Sequence, residues 1–358
     1  MTTGLDRRRV LKGALACASA FQSGRIDAMT LTMQDPRLNQ VAPELREAAI
    51  ASLHESNATP PLSAANLAAL RTMYDVADVD PNSPIAWERR QIPGSAGCPP
   101  VTIYIVNAKP MGTRPAILHM HGGGFILGTP LMFMSLLQSV AEELDCLIVS
   151  VDYRLAPEIA YSGSIEDNYA ALKWLHANAE TLGADPRRIA VMGESAGGGH
   201  AAILALTARD RGEVPIAFQC LTYPMLDDRT GSSRAVTPAN GHLVWTARDN
   251  RFGWESFLGM EPGTSLVPAW PVPIRADNLQ GLPPCFVAVG SVDLFMDENI
   301  AYARRLAAAG VSTELHVIAG AFHGFDMYPE AQGTSLVERM RAVRLSALKA
   351  GLAIPLMI

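Results

Sequence analysis

Long apolar runs are missing from this chain of 358 residues; none approaches the roughly 20 residues that a membrane-spanning helix needs. A basic stripe is missing as well. Lys and Arg number 29 against 35 Asp and Glu, and the net charge of −6 gives no footprint for a nucleic acid. Cysteine is sparse: Cys17, Cys98, Cys146, Cys220 and Cys285 are scattered without C-x-x-C spacing, so neither a disulfide framework nor a zinc site is expected. Cys146, Cys220 and Cys285 fall at or within apolar runs, where cysteine behaves as a small hydrophobe. Charged residues make up only 18% against 49% hydrophobic, which excludes a disordered chain and suits a large buried core. Internal repeats and low-complexity segments are absent. His119-Met120-His121 has the look of a metal pair, but a glycine run follows it and no acidic partner is near in sequence, so no metal is expected.

What is present centres on Gly193-Glu194-Ser195-Ala196-Gly197. An apolar run over 188–192 precedes it and reads as a buried strand; an Ala-rich stretch over 198–206 follows and reads as a helix. A serine held between glycines at such a junction fits a nucleophile elbow, where the backbone turns so sharply that larger flanking side chains would collide. The turn sets Ser195 at a helix start, whose free N–H groups and positive dipole end favour a developing oxyanion. Upstream, His121-Gly122-Gly123-Gly124-Phe125 follows another apolar run, and its glycines allow N–H groups to face a substrate oxygen.

Strands and helices alternate along the chain. Strands are expected over 101–106, 116–120, 146–151, 188–192, 216–222, 285–290 and 314–318, and helices over 165–182, 301–309 and 336–352. This pattern implies a mostly parallel sheet flanked by helices. Residues 41–75 read as two helices divided by Pro60-Pro61, with Ser63 as N-cap of the second. Between 228 and 273 the alternation breaks, and Trp245, Phe252, Trp254, Phe257 and Trp270 lie among turn residues. At the N-terminus, Asp6 to Lys12 resembles a twin-arginine signal, followed by a short apolar stretch and Ala18-Ser19-Ala20 as a cleavage site. A functional leader implies a periplasmic or secreted protein. The alternatives are an untidy basic leader or a later start at Met29 or Met33 and a cytoplasmic protein. Residues 1–30 are therefore set apart from the fold.

Nucleophilic catalysis needs a base for the serine and an acid partner for that base. In folds with this elbow they follow in the order Ser, Asp or Glu, His. Ser195, Asp293 and His323 satisfy that order, the last two each lying just past the end of an expected strand. Asp297 and Glu298 compete with Asp293, but they open an expected helix and suit its dipole. Asp227, Asp228, Asp152 and Arg154 read as structural.

These landmarks resemble the bacterial hormone-sensitive-lipase family of esterases. The matching residues are the HGGGF loop, then Asp152-Tyr153-Arg154-Leu155-Ala156-Pro157-Glu158, GESAG, Tyr223-Pro224-Met225-Leu226-Asp227-Asp228, Gly281-Leu282-Pro283-Pro284, Asp293 to Glu298, and His323-Gly324-Phe325. They run in the family's order from about residue 85 to 330. One departure is Glu194, where the larger subgroup carries Asp. The resemblance implies an α/β-hydrolase fold, with a mostly parallel central sheet flanked by helices as catalytic domain (85–227 and 274–358) and a helical cap (34–84 and 228–273). Helices packed on the back of the sheet are the alternative for the first cap segment. It implies a serine carboxylesterase acting on short- to medium-chain esters, with Gly122, Gly123 and Ala196 as oxyanion donors. Phe125, Glu194, Trp245 and Phe325 are the candidate substrate contacts. No cofactor is implied; the partner is a small-molecule ester, with a homodimer left open. Amide or lactone hydrolysis on the same machinery is the near alternative. A non-catalytic ligand-binding relative is the distant one, disfavoured because Ser195, Asp293 and His323 are all retained.

Overall fold

Side chains that alternate between two buried faces of the strands set the architecture, which a computed structural model describes for residues 35–353 except 111 and 238. The leader, with Cys17, Met29 and Met33, lies outside the described residues. Eight strands form one sheet: β1 Trp87–Ile92, β2 Val101–Val106, β3 Arg114–Met120, β4 Leu147–Asp152, β5 Ala184–Glu194, β6 Phe218–Thr222, β7 Cys285–Gly290 and β8 Thr313–Ile318. Their order is β1-β2-β4-β3-β5-β6-β7-β8. The first two pairings are antiparallel and all from β4 to β8 are parallel. The central strands are buried on both faces, as parallel sheets require, so they read as continuous apolar runs.

The two faces fill two cores. Leu118, Val149, Val191 and Val287 point into one, with helices α4 (Tyr161–Asn178) and α5 (Ala196–Arg211). Ile117, Ile148, Met192 and Phe286 point into the other, with α3 (Met134–Leu144) and α8 (Ser335–Gly351). Each such side chain, fully buried, contributes about 1.5–3 kcal/mol relative to exposure.

The N-terminal helices divide between these cores. In α1 (Arg46–Ala58), Ala48, Ala49 and Leu53 join the α3/α8 side, whereas Leu67 and Leu70 of α2 (Leu67–Tyr74) join the other. Ser63 does not cap α2. Asn66 holds the N-cap position and its Oδ1 accepts from the Ser63 N–H at 2.9 Å. The stretch without expected alternation contains a helix, α6 (Ala247–Leu258), capped by Thr246 through the Asp249 N–H. Helix α7 (Met296–Ala308) begins five residues before the apolar pattern suggests.

Candidate active site

Strand β5 ends at Glu194 and α5 starts at Ala196, so one residue makes the turn. Ser195 takes φ 57° and ψ −121°, a conformation that costs an L-residue of order 1–3 kcal/mol and persists only where its surroundings enforce it. The glycines explain how. A Cβ on Gly193 would lie 2.4 Å from the Gly197 carbonyl group, and one on Gly197 would lie 2.0 Å from the Met120 carbonyl oxygen. The turn is pinned by Ser195 N–H to Thr222 O at 3.0 Å and Met225 N–H to Ser195 O at 2.9 Å.

Two loops at the carboxyl ends of neighbouring strands reach this serine. After β7, Asp293 is buried in a turn where its Oδ1 accepts the Phe295 N–H at 2.8 Å. After β8, His323 brings Nε2 to 2.9 Å from Ser195 Oγ and Nδ1 to 2.9 Å from Asp293 Oδ2. The imidazole is held between rings, with Tyr223 at 4.8 Å and Phe295 at 5.0 Å, both edge-on. Tyr223 is itself held by its hydroxyl, which donates to Asp326 Oδ1 at 2.9 Å. Ser195 remains 8% exposed and His323 5%, so neither is wholly sealed from solvent. The competing carboxylates go elsewhere. Asp297 accepts from the Thr237 hydroxyl, and buried Glu298 accepts the Leu226 N–H at 2.6 Å and the Asp227 N–H at 3.2 Å.

The glycine loop after β3 runs against the nucleophile. A Cβ on Gly122 would stand 3.5 Å from Ser195 Cβ and 3.3 Å from the Phe133 ring. At Gly123, φ is +124° and a Cβ would lie 2.0 Å from the Leu127 carbonyl oxygen, so only glycine fits. His121 fixes the next peptide. A carbonyl oxygen only accepts, so its Nδ1 carries the proton it gives to Gly122 O at 2.8 Å. Burial depresses the pKa of His121 to about 3, which keeps the ring neutral. Its backbone carbonyl accepts from the Tyr153 hydroxyl at 2.7 Å, and the two rings stack at 4.2 Å.

The candidate contact residues spread more widely. Trp245 lies on the glycine loop, since a Cβ on Gly124 would collide with its ring; its Nε1 donates to Asn250 Oδ1 at 3.2 Å. Phe125 is buried against Phe257 at 4.1 Å and Trp254 at 5.0 Å, with its ring taken up by the core. Trp254 is fully buried there too. Phe325 is fully buried on the opposite face. Glu194 is buried and points into the α3/α8 side, where Oε2 accepts from His119 Nε2 at 2.8 Å; His119 Nδ1 meets Ser150 Oγ at 2.7 Å. His119 and His121 therefore serve two separate networks. The Ser150–His119–Glu194 chain crosses β4, β3 and β5 beneath the elbow. Only the alternation of polar with apolar residues in those strands hints at it in the sequence. Asp227 and Asp228 are buried too, paired with Arg229 and Arg234 and with Arg275 respectively.

A family model described as α/β hydrolase fold matches residues 117–327. Esterase LipI of Mycobacterium tuberculosis is 39% identical over 254 residues, spanning 69% of this chain and 78% of that protein. Carboxylesterase NlhH of the same organism is 36% identical over 242 residues, spanning 64% and 74%. Among solved structures, a bacterial heroin esterase superposes with a TM-score of 0.78 at 38% identity, covering 88% of this chain and 99% of that one. The chain thus belongs to the α/β hydrolase family, within its bacterial hormone-sensitive-lipase-like group.

Proposed function

We propose that this protein is a serine carboxylesterase that hydrolyses short- to medium-chain esters through Ser195, His323 and Asp293. The observation that carries the reading is the unbroken hydrogen-bonded line from Ser195 Oγ through His323 to Asp293, 2.9 Å at each step. Its similarity to LipI and NlhH, both named as esterases, supports the ester as substrate. His323 Nε2 takes the hydroxyl proton as Ser195 Oγ attacks the carbonyl carbon. Charge on the carbonyl oxygen is met by backbone N–H groups of Gly122, Gly123 and Ala196, held in place before the reaction begins. The C–O bond to the alcohol then breaks, and His323 returns the proton to the leaving oxygen. Water resolves the acyl-enzyme by the reverse steps, and Asp293 holds the imidazole in one tautomer while stabilising its cation. No cofactor enters this sequence.

Residues 34–84 and 228–273 act as the cap. Their connection supports this: the Val244 N–H donates to Ser52 Oγ at 3.0 Å, and Arg71 of α2 reaches the Ile126 carbonyl beside the glycine loop at 2.8 Å. Trp245 and Phe133 flank the glycine loop at Gly124 and Gly122, which favours short acyl chains. Nitrophenyl esters graded by acyl length test this, with acetate and butyrate expected to exceed palmitate. Efficient hydrolysis of long-chain triglyceride emulsions would contradict it. Ser195→Ala should lower kcat by on the order of 10⁴-fold or more with the fold intact. Wild-type-like turnover in a folded Ser195→Ala protein would remove the basis of the reading. Amide cleavage is the second reading, favoured by 28% identity to mouse arylacetamide deacetylase over 309 residues. An aryl acetamide beside the matching aryl acetate separates the two.

A further inference from the structure

We propose that Val244 sets the size of the alcohol group this site accepts, and that this group is uncharged and apolar. The inference rests on the ester-hydrolysis reading above. It begins from an outlier: Val244 is β-branched, yet its φ is +65°. The Trp245 N–H donates to the Leu243 carbonyl oxygen at 2.7 Å, closing a three-residue turn around Val244. A turn of that span with positive φ at its centre is the rare, strained form of the γ-turn. Such strain lasts only where neighbours impose it. Here Leu243 is buried in the core, the Val244 N–H is held by Ser52 Oγ at 3.0 Å, and Trp245 is held by Asn250 and the glycine loop. The side chain gains little burial in return, since Val244 is 39% exposed.

What the turn achieves is placement. A Cβ on Gly324, the residue after His323, would meet only Val244 Cγ1 and Met327 Sδ within 4 Å beyond its chain neighbours, each at 3.9 Å. Gly324 has φ +64°, so a side chain there is disfavoured and the notch stays open. Met327 is 47% exposed. Adjacent residues of one turn therefore span the site, with Trp245 on the glycine loop and Val244 on the histidine loop. His323 Nε2 must protonate the leaving oxygen, so the alcohol carbons begin beside His323 and run over this notch. The carbonyl oxygen turns the other way, to the glycine loop. The side chains of Val244 and Met327 offer the alcohol apolar surface and no charged group, so an apolar alcohol gains contact there that a charged one does not.

The test compares wild type with Val244→Gly and Val244→Ala on two ester series. One holds the acetyl group fixed and varies the alcohol from methyl to benzyl and cyclohexyl. The other holds nitrophenol fixed and varies the acyl group from acetyl to hexanoyl. Removing the side chain should raise the benzyl-to-methyl ratio of kcat/KM about 10-fold or more, the scale of a methylene or two in an apolar pocket. The acyl ratios should stay within about 3-fold, below that scale. Val244→Gly removes the strained side chain, so its melting temperature should match or exceed that of wild type. Unmoved alcohol ratios in both folded variants, or acyl ratios that move instead, would overturn the assignment of Val244 alone. Absence of nitrophenyl acetate hydrolysis by wild type would overturn the ester reading and this inference with it.

Discussion

Asp293 and Asp297 stand one helical turn apart and do different work. Asp293 is locked before α7 begins: Oδ1 takes the Phe295 N–H and Oδ2 faces the His323 Nδ1. Asp297 is in the first turn of α7, where a carboxylate complements the helix dipole. Asp293→Asn offers a donor or a weaker acceptor to the imidazole, so kcat should fall on the order of 10³- to 10⁴-fold. Asp297→Asn should cost up to about 1 kcal/mol of stability and leave turnover near that of wild type. Steady-state rates and melting curves on the two variants decide it. Loss of turnover in folded Asp297→Asn with retention in Asp293→Asn would reverse the assignment. Chain order singles out Ser195, Asp293 and His323 as candidates, but not the rings that hold the imidazole: Tyr223 comes from the loop after β6, and Phe295 from the Asp293 loop itself, where chain order gives an aromatic no role.

At the scale of elements, legibility followed burial. The central strands are mostly apolar, apart from buried polar residues such as His119, Ser150 and Glu194, and their bounds lie within four residues of the apolar runs; β5 begins earliest, at Ala184. Strand β1 gave no sequence signal, because five of its six residues (Trp87 to Gln91) are exposed at the sheet edge and three are charged. The acidic pair Asp297 and Glu298 marks the opening of α7, but its apolar period starts only at Ala301, for a related reason. Its first turn buries polar groups, Glu298 and Asn299, that no apolar period registers. Glu298 suits the helix dipole by its position, but it does more. Its carboxylate accepts the N–H groups of Leu226 and Asp227 and the hydroxyl of Thr230, joining α7 to the segment that follows β6. Burial, followed by the nearby Asp227, pushes its pKa well above the usual carboxylate value. Glu298→Ala would leave these buried donors without an acceptor, at about 1–3 kcal/mol for each group left bare. The melting temperature should therefore fall by several degrees, and by less in Glu298→Gln, which keeps one carbonyl oxygen. Equal melting temperatures for Glu298→Ala and wild type would show that the contact carries no stability.

For the whole molecule, the consequence lies in its response to acid. Two histidines are buried near the glycine loop and kept neutral. His121 and His200 are each depressed to about 3, chiefly by burial. His200, on α5, is packed among Phe125 at 5.0 Å, Tyr153 at 4.4 Å and Phe257 at 5.5 Å, and neither of its ring nitrogens has a hydrogen-bond partner. In the unfolded chain both titrate near 6.5. Between about pH 6.5 and 3 the unfolded state therefore binds protons that the folded state refuses. Stability due to these groups is complete above about pH 6.5 and is lost as pH falls toward 3, by about 1.4 kcal/mol per pH unit for each histidine. Buried carboxylates oppose this. Glu298 and Asp326 are raised by burial, so in acid the folded state takes up their protons first and gains stability. Comparing two proteins that differ only at position 200 cancels that opposition. His200→Leu keeps an apolar filling and removes one titrating group. Its unfolding free energy should rise relative to that of wild type by about 1.4 kcal/mol for each unit from pH 6 down to 4, read from denaturant midpoints. A stability difference that stays flat across that range would mean His200 is protonated inside the folded protein, with water or a neighbouring group solvating its charge.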